Sequence, residues 1–118
     1  MPAEIELTNA AHERSTYSID ISFYDEEGNP VIPKTGLKWS LTKADGTTIV
    51  NAKKDTIITP AAMVTILLSG ADLALDIGEK LGYRYVIVEG TYDSTLGTNL
   101  PFKDHIKFPI IDIAKVPA

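Results

Sequence analysis

The sequence predicts an all-β fold, and three observations carry that expectation. Apolar and polar residues alternate strictly over several short runs, most clearly from Thr16 to Tyr24 and from Gly36 to Lys43, which is the signature of strands buried on one face. The runs are separated at fairly even spacing by Gly, Pro, Asn and Asp, residues that set turns rather than helices. Aromatic and β-branched residues fill the runs, as in Tyr83-Arg84-Tyr85-Val86-Ile87-Val88, and suit a pleated, packed surface.

Taken in order, Glu4 to Thr8 alternates charge with Ile5 and Leu7 and reads as a short edge strand guarded by its charges. Asn9 to Glu13 is a connector. The next run turns Tyr17, Ile19, Ile21 and Phe23 inward and Thr16, Ser18, Asp20, Ser22 and Tyr24 outward. Asp25 to Pro33 is too dense in turn formers for a regular element. Leu37, Trp39 and Leu41 face inward on the following strand, and Ala44-Asp45-Gly46 marks a tight hairpin whose return arm is Thr47 to Val50. Thr56 to Thr59 adds a short edge strand that Pro60 stops. Met63 to Leu68 is apolar on both faces apart from Thr65, which predicts one face in the core and the other partly covered. Ser69 and Asp72 form a helix-capping pair for one short helical turn near residues 70–75 that carries the chain between sheets.

Leu75 to Tyr92 is the expected centre of the fold, a long strand entered through the loop Asp76 to Gly82. Tyr83, Tyr85 and Ile87 are assigned inward, with Tyr83 either tying the preceding corner through its hydroxyl or serving as an ordinary core tyrosine. Gly90 reads as a bulge. Arg84, Val86 and Val88 then share the outer face beside Lys38, Ser40, Lys103, His105 and Lys107, where two side-by-side valines make a partner-facing patch. Tyr92 to Asn99 is a hairpin loop, and the last strand alternates Leu100, Phe102, Ile106, Phe108 and Ile110 with Lys103, His105 and Lys107. About seven strands of this kind predict an antiparallel β-sandwich of immunoglobulin or fibronectin type III kind, the alternative being a small closed or half-open barrel. Ile21, Trp39 and Tyr85 or Ile87 meet between its sheets, and Trp39→Ala costs about 3 to 5 kcal/mol.

The 118 residues, 44% hydrophobic and 23% charged, suit one globular domain over residues 1–118. The net charge of −5 and the scattering of the 11 basic residues, with only Lys53 and Lys54 adjacent, argue against nucleic acid as a partner. The absence of cysteine removes disulfides, thiolate metal sites and thiol nucleophiles. The polar, acidic start and the lack of a long apolar run predict synthesis in the cytoplasm without a signal peptide, and no membrane partner.

No local catalytic constellation emerges, so no catalytic residue, cofactor or metal is assigned. His12 and His105 stand too far apart in sequence for a strong zinc signal, and Asp25, Glu26 and Glu27 lack the alternate oxygen spacing of a calcium loop. The glycines are isolated, unlike those of a phosphate loop. Non-enzymatic binding is the expectation that remains.

The segments LTNAAHERSTYSIDISFYDEEGNPVIP, LKWSLTKADGT, LSGADLAL and VEGTYDSTLGTNLPFKDHIKFPI resemble small immunoglobulin-like proteins encoded among the structural genes of tailed bacteriophages and prophages. That resemblance, carried by cadence and phrases such as Thr91-Tyr92-Asp93-Ser94, implies a virion or head-to-tail assembly component binding other virion subunits or itself, with no characterised active residues. A ligand-binding module that stacks carbohydrate on Tyr24 and Tyr92 is the alternative of a different class.

Overall fold

In the computed structural model, which describes residues 3–6, 11–12, 14–76, 78–79 and 81–111, the chain forms two sheets facing each other across one core. The strands are β1 (Ala3–Glu6), β2 (Ala11–His12), β3 (Thr16–Phe23), β4 (Lys38–Lys43), β5 (Thr56–Ile57), β6 (Met63–Ser69), β7 (Leu81–Ser94) and β8 (Gly97–Ile111). A three-stranded sheet has the order β1-β3-β6, and a five-stranded sheet has the order β2-β8-β7-β4-β5. All ladders are antiparallel except β2 with β8, so the all-β expectation holds while the five-stranded sheet is mixed in direction.

Alternation places the strands as their residues dictate. On β3, Tyr17, Ile19, Ile21 and Phe23 are buried, and on β6 so are Val64, Ile66 and Leu68. Leu37, Trp39 and Leu41 face them from the β4 side, with Phe102, Phe108 and Ile110 from β8. Tyr17 stacks on Phe108 at 5.3 Å between ring centroids, and Phe23 meets Phe102 edge-on at 5.7 Å, which locks the sheets together near their two ends. Gly70–Leu73 forms the expected short turn as a 3-10 helix, with Ser69 and Asp72 in a capping box. The Asp72 carboxylate is buried and also accepts from Asn51 Nδ2 at 2.8 Å, fastening the crossing segment after β4 to this turn.

Several expectations change. The connector Asn9 to Glu13 contributes β2 at Ala11–His12, alongside Ala11↔Ile110; its residues 9, 10 and 13 lie outside the described residues, as do Leu7 and Thr8 of the first predicted strand. Thr47 to Val50 returns beside β4 through the bridge Thr42↔Ile49 rather than as a strand, because the backbone leaves the extended region directly after it, at Asn51 (φ 49°) and Ala52 (φ 56°), while Asp45 ties the turn by accepting from the N–H groups of Thr47 and Thr48. The predicted loop from Tyr92 to Asn99 shrinks to Thr95-Leu96, since β7 and β8 continue pairing to Ser94↔Gly97. Gly90 is no bulge: it pairs in register with Phe102, and the irregularity lies between Tyr92 and Ser94. Glycine at 90 lets strands pack, because a Cβ there would stand 3.1 Å from Leu37 Cδ1 and 3.3 Å from Phe102 Cε1.

The largest correction is the phase of β7. Arg84, Val86 and Val88 are inside, at 2%, 0% and 0% exposure, whereas Tyr83 is outside at 41%. Register imposes this: Val88 is paired with Trp39 and Val86 with Leu41 on β4, and Arg84 with Phe108 on β8, so all share the core face. Arg84 tolerates burial because its guanidinium donates to the carbonyls of Tyr83 at 2.8 Å and Ala74 at 3.2 Å and to Glu79 Oε1 at 3.1 Å. It latches the corner before β7, the task expected of the Tyr83 hydroxyl. Gly82 makes room for that latch, since a Cβ on it would lie 2.8 Å from Glu79 Oε2 and 3.0 Å from Arg84 Nη1.

Candidate functional site

With β7 turned over, the face of the five-stranded sheet that points away from the core is built from Tyr83, Tyr85, Ile87 and Glu89 on β7, flanked by Lys103, His105 and Lys107 on β8 and by Lys38 and Ser40 on β4. Cross-strand register fixes the neighbours: Tyr85 sits opposite Lys107 and Thr42, Ile87 opposite His105 and Ser40, and Glu89 opposite Lys103 and Lys38. The Lys107 ammonium lies 4.5 Å over the Tyr83 ring, a cation held by the ring's negative face. Tyr85 meets His105 edge-on at 5.3 Å. Together these contacts set two aromatic rings against a lysine and a histidine on the outer side of the sheet.

A shallow hollow of about 470 Å³ opens at the centre of this face, lined by Tyr85, Ile87, Lys103 and His105 and walled by Ala44, Asp45 and Gly46 of the hairpin. The wall is rigid. The Asp45 carboxylate accepts from the backbone of Thr47 and Thr48 and from the Thr48 hydroxyl. These bonds, the Thr48 hydroxyl's first, hold its pKa at about 2 against an ordinary 3.8, so it stays anionic through the neutral range. The floor is apolar, the rim carries Lys103 and the carboxylate of Asp45, and Lys38 is engaged at the edge by Asp55 at 3.6 Å and Glu89 at 3.8 Å. Such an apolar centre with charged groups around it has the layout of a protein docking surface.

The residues assigned to a partner patch thus divide. Lys38, Ser40, Lys103, His105 and Lys107 do share the outer face, but Arg84, Val86 and Val88 do not join them; Tyr83, Tyr85 and Ile87 take those places. Window length is the signal that was missed, since the tyrosine phase continues into the polar Glu89, Thr91 and Asp93, whereas the valine phase continues into Gly90 and Tyr92. Tyr92 is buried and donates its hydroxyl to Glu26 Oε2 at 2.6 Å, so it is not available as a stacking platform, and Tyr24 is only partly exposed beside Pro30.

The acidic loop and the histidines are accounted for by structure. Asp25 Oδ1 accepts from the N–H groups of Glu27 and Asn29, and Thr95 donates to Glu27, so the loop is stitched to the β7–β8 tip. The Glu26 carboxyl is held below its ordinary range by hydrogen bonds from Ser94 and then Tyr92. His12 pairs with Ile111 at the far end of β8, about 20 Å along the strand from His105. Among the described residues, no group of three or more His, Cys, Asp or Glu side chains is placed to hold a metal ion, and no helix is long and apolar enough to cross a membrane.

Comparison with protein-family models, with curated proteins and with solved structures finds no match to this chain.

Proposed function

We propose that this chain is an immunoglobulin-like binding module, an assembly component of a tailed-phage or prophage particle, that docks a protein partner on the outer face of its five-stranded sheet. The observation that carries the docking role is the cluster of Tyr83, Tyr85 and Ile87 among Lys103, His105 and Lys107, an apolar centre with a charged surround. The immunoglobulin-like reading is supported by how the chain divides, with β3 and β6 in one sheet and β4, β7 and β8 in the other. The assembly setting is supported by the resemblance of the sequence segments to phage structural proteins. The partner surface that fits has an apolar patch to meet Tyr85 and Ile87 and carboxylates to meet Lys103 and Lys107.

The test is binding of the purified chain to the products of its neighbouring genes, measured for the natural sequence and for Lys103→Glu with Lys107→Glu. Both lysines are exposed, so the double variant keeps its melting temperature and loses affinity and salt dependence together. Unchanged affinity in the variant moves the contact off this face. No binding to any neighbouring product, with hits on a glycan array that Tyr85→Ala abolishes, replaces the assembly reading by the carbohydrate one.

A further inference from the structure

We infer that β6 is a dimerisation edge, pairing antiparallel with β6 of a second copy about a two-fold axis through Thr65. This rests on the open side of the three-stranded sheet and not on the docking face above. On one side β6 is paired with β3 from Met63↔Ser22 to Ser69↔Thr16; on the other, no strand among the described residues pairs with it.

The direction of its backbone groups follows from the ladder. The Phe23 N–H donates to the Ala62 carbonyl at 3.0 Å, and the Gly70 N–H donates to the Ser15 carbonyl at 3.1 Å. Both bonds belong to the same register as the strand between them. In an antiparallel ladder hydrogen-bonded positions alternate, so Val64, Ile66 and Leu68 spend their backbone groups on β3. Met63, Thr65 and Leu67 point theirs at the open edge. The Ser69 N–H is already taken, by Asp72 Oδ2 at 3.2 Å.

The same three residues carry the exposed side chains: Met63 is 57% and Leu67 61% exposed, on the sheet face away from the core. β6 has none of the features that keep edges apart, for its sequence MVTILLS holds no charge and no proline, and its register with β3 is unbroken. The other edges differ. β1 carries Glu4 and Glu6 in its sequence, while β2 and β5 are two residues each.

The occupant is a second copy because the pattern is its own complement. With the axis at Thr65, Met63 opposes Leu67 of the other copy, Thr65 opposes Thr65, and Leu67 opposes Met63, each pair exchanging both backbone hydrogen bonds that the edge leaves open. The exposed methionine and leucine of each copy then lie side by side on one face, about 5.5 Å apart at Cα. An axis at Ile66 would instead set Met63 opposite Ser69, whose N–H already donates to Asp72 Oδ2 at 3.2 Å, so that pair could not exchange both bonds. The interface is small, so association is weak and concentration-dependent.

The chain has no cysteine, so Thr65→Cys can form disulfides only between molecules. The two Cα atoms opposed at the axis fall within disulfide reach. Oxidised Thr65→Cys is expected to give covalent dimer several-fold faster than Lys107→Cys, which lies on the other sheet's outer face. The sedimentation coefficient of the natural chain should rise with concentration. Leu67→Lys, at an exposed position, should keep its melting temperature and sediment as a monomer throughout. Equal cross-linking rates for the two cysteine variants, or dimers that survive Leu67→Lys, overturn the proposal. So does a natural chain that stays monomeric while a version ending at Ile111 dimerises, since the edge is then occupied by the chain's own last residues.

Discussion

The two sheets of this molecule are finished in opposite ways. The five-stranded sheet ends on both sides in strands of only two residues, β2 and β5, which leave little backbone to pair, and it presents a decorated face of tyrosine, isoleucine, lysine and histidine. The three-stranded sheet has a plainer outer face, with Ser18, Asp20 and Ser22 on β3, but ends in the uncharged seven-residue strand β6. One sheet offers side chains and the other offers backbone. Contacts of the first kind are selective through shape and charge, whereas contacts of the second kind are selective through register.

The sharpest way to break this comparison is to attack the face that β7 turns inward. Val86→Thr with Val88→Thr places two hydroxyls among Trp39, Leu41 and the residues opposite, and should cost about 4 kcal/mol, a large part of a small domain's stability, in urea unfolding. If the double variant melts like the natural chain, the valines are outside and the docking face must be redrawn. Arg84→Met comes next, at about 2 kcal/mol, because it removes charge-assisted bonds to Glu79 and to the corner carbonyls while filling similar space. Here a loss of cooperativity confined to the corner, read by hydrogen exchange of residues 74–79, would separate a local latch from a core determinant.

Gly90→Ala is expected to cost about 1 to 2 kcal/mol by crowding Leu37 and Phe102. A neutral result would mean that β7 and β4 can part slightly, and with them the floor of the hollow. The smallest effect concerns the hairpin wall and depends on pH. The folded-state pKa of Asp45 is lowered to about 2, so its contribution is complete above the ordinary carboxylate range and is lost as pH falls through about 2. Asp45→Ala should therefore melt below the natural chain at pH 7, with the difference shrinking once pH drops under about 4. A difference that stays constant down to pH 2 would assign the loss to packing rather than to the carboxylate.

Strands with one polar face were legible in the sequence. On β3 every second residue is polar or charged, and on β8 Lys103, His105 and Lys107 share one phase, so alternation sets which way Ile19, Ile21, Phe108 and Ile110 point. The capping pair Ser69 and Asp72 was equally readable, because its chemistry is local. β7 was not, since over Tyr83 to Val88 one phase offers two tyrosines and an isoleucine and the other an arginine and two valines. Either would pack. The choice is made by pairing with β4 and β8 and by carbonyl and carboxylate groups up to ten residues upstream that accept from Arg84. For the outer face of the five-stranded sheet, the lysines and histidine of β8 were placed correctly, and the apolar half was exchanged for its mirror. That no strand among the described residues pairs with the outer side of β6 depends on which strand ends the sheet, a property of topology that no run of residues states.

The place of β7 and β8 after the other strands in sequence also sets an order of assembly. β1, β3 and β6 are all synthesised once Ser69 is made, but much of the layer that covers their inner face arrives only with β7 and β8, up to Ile111. At roughly 5 to 20 residues per second that interval lasts a few seconds, long against the ~1 to 10 μs in which a hairpin closes. During it Ile19, Ile21, Val64 and Ile66 lack β7 and β8, the two longest strands of the opposing sheet, and have only its earlier strands β2, β4 and β5. Translation speed, and not the closing of the two-residue turn at Thr95-Leu96, thus limits how long the nascent three-stranded sheet stays uncovered, and it is in that interval that the uncharged strand β6 is most open to pairing with the wrong neighbour.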